Sequence, residues 1–191
     1  INGDLQSLQI KQNLTVKHPQ IVGDWSIRGN IDSLTTTPVL NVSFNSPQTQ
    51  IAIDDQLIDT SQSEGQLTGD LNDLTLSLES TLTAADLPPA QLLISGRGDL
   101  QQFQFKQAQL ETEEGTLGFT GKVDWQEQLK LNGHMQLTSF NPAQVLPEWP
   151  GTLSGTAAFD LQNTSEGLFI VSKDNNIQGT LKGQSFNFKG K

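Results

Sequence analysis

A five-residue pattern recurs through the chain: apolar, any residue, Gly, any residue, apolar. It reads Ile27-Arg-Gly29-Asn-Ile31, Leu67-Thr-Gly69-Asp-Leu71, Phe119-Thr-Gly121-Lys-Val123 and Leu131-Asn-Gly133-His-Met135. It returns in weaker form as Leu153-Ser-Gly155-Thr-Ala157 and Leu181-Lys-Gly183-Gln-Ser185. In a strand, successive side chains point to opposite faces, so both outer residues and the central Gly share one face. A side chain is therefore missing in the middle of an apolar face, repeatedly. Gly inside a strand weakens it and marks a bulge, a bend or a close approach. The pattern predicts a sheet that bends in the same sense again and again, with the glycines at 29, 69, 121, 133, 155 and 183 doing the curving.

Period-two alternation fills the rest. Leu74, Leu76 and Leu78 alternate with Thr75 and Ser77; Leu131, Gly133, Met135 and Leu137 alternate with Asn132, His134 and Gln136. One apolar and one solvated face is the mark of antiparallel strands. Turn-type residues at Ser46-Pro47, Glu64-Gly65, Glu113-Glu114-Gly115, Glu166-Gly167 and Asp174-Asn175-Asn176 predict breaks between strands. The class is all-β, about a dozen strands joined by hairpins.

Two stretches break the alternation, Asp86 to Leu93 and Phe140 to Pro147, each holding a Pro-Ala-Gln triplet. Asn141 suits a helix N-cap and Pro142 a first helical position, so a short helical turn is expected there, with a weaker one at the first site. Each triplet follows a Gly-centred motif at nearly the same distance. This gives a repeat near fifty residues and predicts stacked units that bury apolar surface against their neighbours.

The chemistry of the chain excludes more than it assigns. Lys and Arg total 11 against 21 Asp and Glu, a net charge of −10, which opposes phosphate backbones; no nucleic-acid partner is expected. There is no Cys, hence no disulfide and no thiolate site. No apolar run approaches the ~20 residues of a membrane-spanning helix. No basic n-region followed by an apolar run opens the chain. It begins at Ile1 and stops at Lys191 without a boundary signal. It reads as one elongated β-rich segment, 1–191, of a longer protein.

His18 and His134 lack partners at metal-ligand spacing. Asp54-Asp55 with Asp59, and Asp174-Asn175-Asn176, lack the spacing of a calcium loop. Glu111, Glu113 and Glu114 read as a solvated turn. No nucleophile elbow or phosphate loop is present. Neither enzyme activity nor a cofactor is expected.

A more specific signal runs from Gly118-Phe-Thr-Gly-Lys-Val-Asp-Trp125 through Leu137-Thr-Ser-Phe-Asn-Pro-Ala-Gln-Val-Leu-Pro-Glu-Trp-Pro-Gly151 to Leu153-Ser-Gly155. This stretch resembles the C-terminal region of the TamB family, within the AsmA-like superfamily. The resemblance implies a long curved sheet folded like a taco around an apolar groove. It also implies a periplasmic protein anchored in the inner membrane. Its partners would be phospholipid acyl chains, the outer-membrane barrel TamA and client β-strands during outer-membrane protein assembly. The groove would be lined by Trp25, Ile27, Ile31, Leu67, Leu71, Leu76, Leu78, Phe103, Phe105, Phe119, Val123, Trp125, Leu129, Leu131, Met135, Leu137, Leu153 and Phe159. The residues alone leave two other readings open. The apolar face could meet another sheet in a dry sandwich or solenoid, or an open edge could receive a partner strand.

Overall fold

The computed structural model describes residues 6–53, 56–84, 87–144, 148–164 and 167–190. The Asp54-Asp55 pair, Asp86, Val145 to Pro147 and Glu166 lie outside them. The chain divides into two compact units, Ile1–Leu100 and Gln101–Lys191.

The first unit holds β1 (Ser7–His18), β2 (Ile21–Asp32), β3 (Val39–Ile53), β4 (Gln56–Asp70), β5 (Asp73–Ala84) and β6 (Leu87–Gly98). The second holds β7 (Gln102–Thr112), β8 (Gly115–Asp124), β9 (Lys130–Phe140), β10 (Gly151–Thr164), β11 (Gly167–Leu181) and β12 (Gln184–Gly190). Within each unit the strands lie side by side in chain order and pair antiparallel, forming an open, curved sheet. The one helical element among the described residues is a 3-10 turn at Pro142–Gln144. Asn141 caps it as expected: its Oδ1 accepts hydrogen bonds from the backbone N–H of Ala143 (3.1 Å) and of Gly151 (3.2 Å).

The other expected helical turn is a strand instead. Residues from Leu87 onward form β6, and the two prolines fall where the β5–β6 register slips between Leu82 and Ala84. Proline has no N–H to give a ladder, and such an irregular step is where a strand tolerates it.

Three of the expected turns also lie inside strands. Ser46-Pro47 sits within β3, Glu64-Gly65 within β4, and Asp174-Asn175-Asn176 within β11. They sit at or next to β-bulges. Ser46, Pro47 and Gln48 oppose Asp24 and Trp25; Gln62 and Ser63 together oppose Ser80; Asp174 and Asn175 oppose Ala157; a further bulge on β9 sets Thr138 and Ser139 against Ser154. Gln62, Ser139 and Asp174 adopt left-handed backbone with φ of 52°, 49° and 50°. Residues that favour turns also suit a bulge, because both require an irregular backbone step.

Each bulge changes the phase of alternation. On β4 the apolar-face set runs Ile58, Thr60, then Ser63, Gly65, Leu67. On β9 it runs Leu131, Gly133, Met135, Leu137, then Phe140. On β11 it runs Leu168, Ile170, Ser172, then Asn175, Ile177. One extra residue keeps both halves of a long strand presenting to the same face, while the bulge bends the strand and increases its twist. At these three bulges the left-handed residue is Gln62, Ser139 or Asp174, not glycine.

In the first unit the crease is lined by small polar side chains. Ser46, Thr49, Thr60, Ser63 and Ser80 are all buried. Ser46 Oγ donates to the Gln48 carbonyl (3.0 Å), so Thr49 Oγ1, 2.9 Å away, must donate to Ser46, since a hydroxyl has one proton. By the same count Ser63 donates to Thr60 (3.2 Å) and Ser80 donates to Ser63 (2.7 Å). Gly23, paired with Thr49, completes the crease: a Cβ there would stand 2.5 Å from Thr49 Oγ1.

Candidate functional site

The apolar faces are assembled by strand register. In the first unit one row reads Ile10, Gly29, Val42, Leu67, Leu76, Gly96, and the next Ile27, Phe44, Gly65, Leu78, Ile94. In the second unit the rows read Phe103, Val123, Leu131, Leu161; then Phe105, Gly121, Gly133, Phe159; then Ala108, Phe119, Met135, Ala157. Most of the expected lining residues thus share a face within their own unit. Trp25, on β2 with Ile27 and Ile31, has its ring 6.1 Å from Phe44.

Coverage of these faces is incomplete. Along β9 the apolar-face residues Leu131, Gly133 and Met135 are half-buried, while Leu137 and Phe140 are buried. Among the described residues the buried apolar side chains are Val42, Ala90, Leu137, Phe140 and Ala157. Among the described residues, most side chains on these apolar faces stay partly exposed within their own unit.

Three expected lining residues lie off the strands. Leu71 is in the β4–β5 turn, and Trp125 and Leu129 flank the β8–β9 connection; all three are exposed. Their backbones do structural work there: Trp125 N–H donates to the Gln101 carbonyl and the Leu129 carbonyl accepts from Asn163, each at 2.9 Å. Leu153 lies on β10 opposite Phe140.

The glycines divide by role. Gly183 lies not in a strand, as its motif had it, but in the two-residue β11–β12 turn with Lys182, at φ of 73° and 50°, with open space around it. Gly29, Gly69 and Gly155 lie where a neighbouring backbone comes close. A Cβ on them would overlap the carbonyl oxygens of Asn41, Asp73 and Asn176. Gly121 and Gly133 face each other across β8 and β9 under the ring of Phe119. Cβ atoms there would stand 2.6 Å and 2.5 Å from its Cζ and Cε2. Phe44 covers Gly65 in the same way. An aromatic ring laid over a strand glycine restores the packing that the glycine forgoes.

The rings in the second unit form a connected series. Phe103 and Phe105 lie 4.9 Å apart, Phe105 and Phe119 5.5 Å, and Phe119 and Phe159 5.7 Å with planes 27° apart. Alternation alone does not reveal this series, because the Phe105–Phe119 and Phe119–Phe159 contacts join different strands. The signal available was Phe two residues before a motif glycine in Phe119-Thr-Gly121.

The opposite face is polar. His134 lies there with Asn132 and Gln136, beside two shallow hollows of roughly 430 and 370 Å³ that share Thr120, His134 and Ala158. Lys173 Nζ bonds Asp160 at 3.3 Å on this side. His18 Nδ1 accepts from the Gln20 N–H at 3.3 Å. Glu114 accepts a 2.6 Å hydrogen bond from Asn141 Nδ2. No group of His, Asp and Glu among the described residues is placed to hold a metal ion. No helix among them is long and apolar enough to cross a membrane.

The sequence matches the family described as TamB, N-terminal domain, over residues 1–191. No solved structure matches the chain. The match corrects the position within the family, since the run from Phe140 to Gly151 had pointed to the C-terminal region. The Gly-centred, alternating pattern recurs throughout this chain, so a short motif says little about position within the family. The extent of the match and an all-β, antiparallel, open-sheet architecture agree, and the chain belongs to the TamB family of the translocation and assembly module, through its N-terminal domain.

Proposed function

We propose that the apolar faces of this chain hold acyl chains of phospholipids passing between the inner and outer membranes. The periplasm is the setting, and the full-length protein is held at the inner membrane with the outer-membrane barrel TamA as its partner. The supporting observation is the half-covered state of the apolar face: Leu131, Met135, Leu67, Leu76 and Leu78 are neither buried nor fully exposed. The residues of β8 to β10 on that face carry no charge, from Leu117 through Leu161. Burial is worth about 0.8 kcal/mol per methylene, so one acyl chain gains on the order of 10 kcal/mol before losses.

Mass spectrometry of an organic extract of the purified protein tests this. Phospholipid should co-purify, and Leu131→Asp or Met135→Asp should lower its yield, because a charge on the face must be desolvated beside the acyl chain. No lipid in the wild-type extract, or an unchanged yield in folded variants, overturns the reading.

A second reading, a scaffold that receives a β-strand, is favoured by one segment of β11. Leu168, Phe169, Ile170 and Val171 are 60%, 49%, 61% and 50% exposed, and the β12 ladder covers only Asn175 to Leu181. An extended segment with exposed ladder groups and apolar side chains is a template for strand addition. A peptide captured by lipid-free protein, and lost in Ile170→Pro, would support it.

A further inference from the structure

We infer that Phe119 determines which apolar guest the second unit accepts, an inference that rests on the acyl-chain reading above. Gly121 and Gly133 are cross-strand partners, and together they leave a slot on the apolar face where two neighbouring side chains are absent. Neither position can be filled by substitution, because a Cβ on either would overlap backbone oxygen, that of Asn132 or of Thr120. The slot is filled by the ring of Phe119, which lies over both glycines. Phe105 and Phe159, the cross-strand partners of Gly121 and Gly133 on their outer sides, hold that ring between them at 5.5 and 5.7 Å.

The consequence is a choice of guest. With the slot closed, an acyl chain meets a layer of rings and aliphatic side chains and has no recess to enter. A straight chain needs none. A methyl-branched chain presents side groups that a flat layer leaves unpacked, and a recess would take them. Removing the ring while the glycines stay in place opens an apolar cavity, and cavities of this kind remain dry and take up apolar guests. Phe119 thus favours straight chains over branched ones by occupying the recess.

The test compares binding of palmitate and phytanate, the methyl-branched chain of the same main-chain length, to the wild-type chain and to Phe119→Ala and Phe119→Leu. The wild type should favour palmitate. Phe119→Ala should shift the affinity ratio toward phytanate by about tenfold, the size expected when an apolar pocket gains or loses room for a methyl group. Phe119→Leu fills part of the slot and should shift the ratio by a smaller factor, about threefold. A purely structural role for the ring would weaken both ligands together and leave the ratio unchanged. If Phe119→Ala does not fold, Phe119→Leu decides by the same ratio. An unchanged ratio in a folded variant overturns this inference and leaves acyl binding standing. A wild type that binds neither ligand overturns the acyl-chain reading and this inference with it.

Discussion

The hydroxyl oxygens of Ser63 and Ser80 lie 2.7 Å apart on neighbouring strands, with both side chains almost completely buried. They sit where β4 bulges against β5, in a corner too narrow for a larger residue. Ser80→Ala removes the donor to Ser63 and should cost about 1–2 kcal/mol, the usual range for a buried hydroxyl contact. Ser80→Leu should cost more, about 3 kcal/mol, since overpacking forces the backbone apart. Urea unfolding midpoints measure both, and a Ser63→Ala, Ser80→Ala double-mutant cycle measures the coupling.

Gly155 and Gly183 both have positive φ, 139° and 73°, yet their substitutions should differ. At Gly155 a Cβ overlaps the Asn176 carbonyl, so Gly155→Ala combines backbone strain with steric overlap and should cost about 3 kcal/mol or more. At Gly183 nothing lies within 4 Å, and Asn accepts left-handed backbone, so Gly183→Asn should stay within about 1 kcal/mol of wild type. Thermal unfolding of the two variants side by side is the check.

Gln62 is exposed and holds left-handed backbone at φ 52°. Gln62→Gly relieves that strain and should stabilise by about 0.5–1 kcal/mol, net of the entropy glycine adds to the unfolded chain. Gln62→Val should destabilise by about 1–2 kcal/mol, because a β-branched residue fits this backbone poorly. A stabilised Gln62→Val would show that the bulge is not required at this position.

Asn141 ties three elements together: it accepts from Ala143 and Gly151 and donates to Glu114. Asn141→Ala should cost about 1–2 kcal/mol, and amide exchange at Ala143 and Gly151 should accelerate. Asn141→Asp keeps the acceptor but faces Glu114 with a like charge. It should preserve protection at Ala143 better than Asn141→Ala does, while losing the link to β7–β8.

Much of the architecture was readable in advance. β9 shows why: Leu131, Gly133, Met135 and Leu137 keep one period against Asn132, His134 and Gln136, and that period is the strand. Reading failed where one local chemistry serves two structures. Pro47 and the Asp174-Asn175-Asn176 run carry turn signals, yet both sit in strands that continue past a bulge. The hydroxyl crease was hidden for another reason: Ser and Thr look like surface residues until Ser46, Thr60 and Ser80 are brought together from three strands. The cover on Gly121 and Gly133 was equally invisible, since periodicity fixes which face a ring takes but not which way it leans.

The strand order has a temporal consequence. Within each unit every strand pairs with the one made immediately before it, so no segment waits for a distant part of the chain to arrive. Contacts of short sequence separation close cheaply and early. A chain of this kind can be laid down hairpin by hairpin as it emerges from a narrow exit, each new strand finding its template already in place.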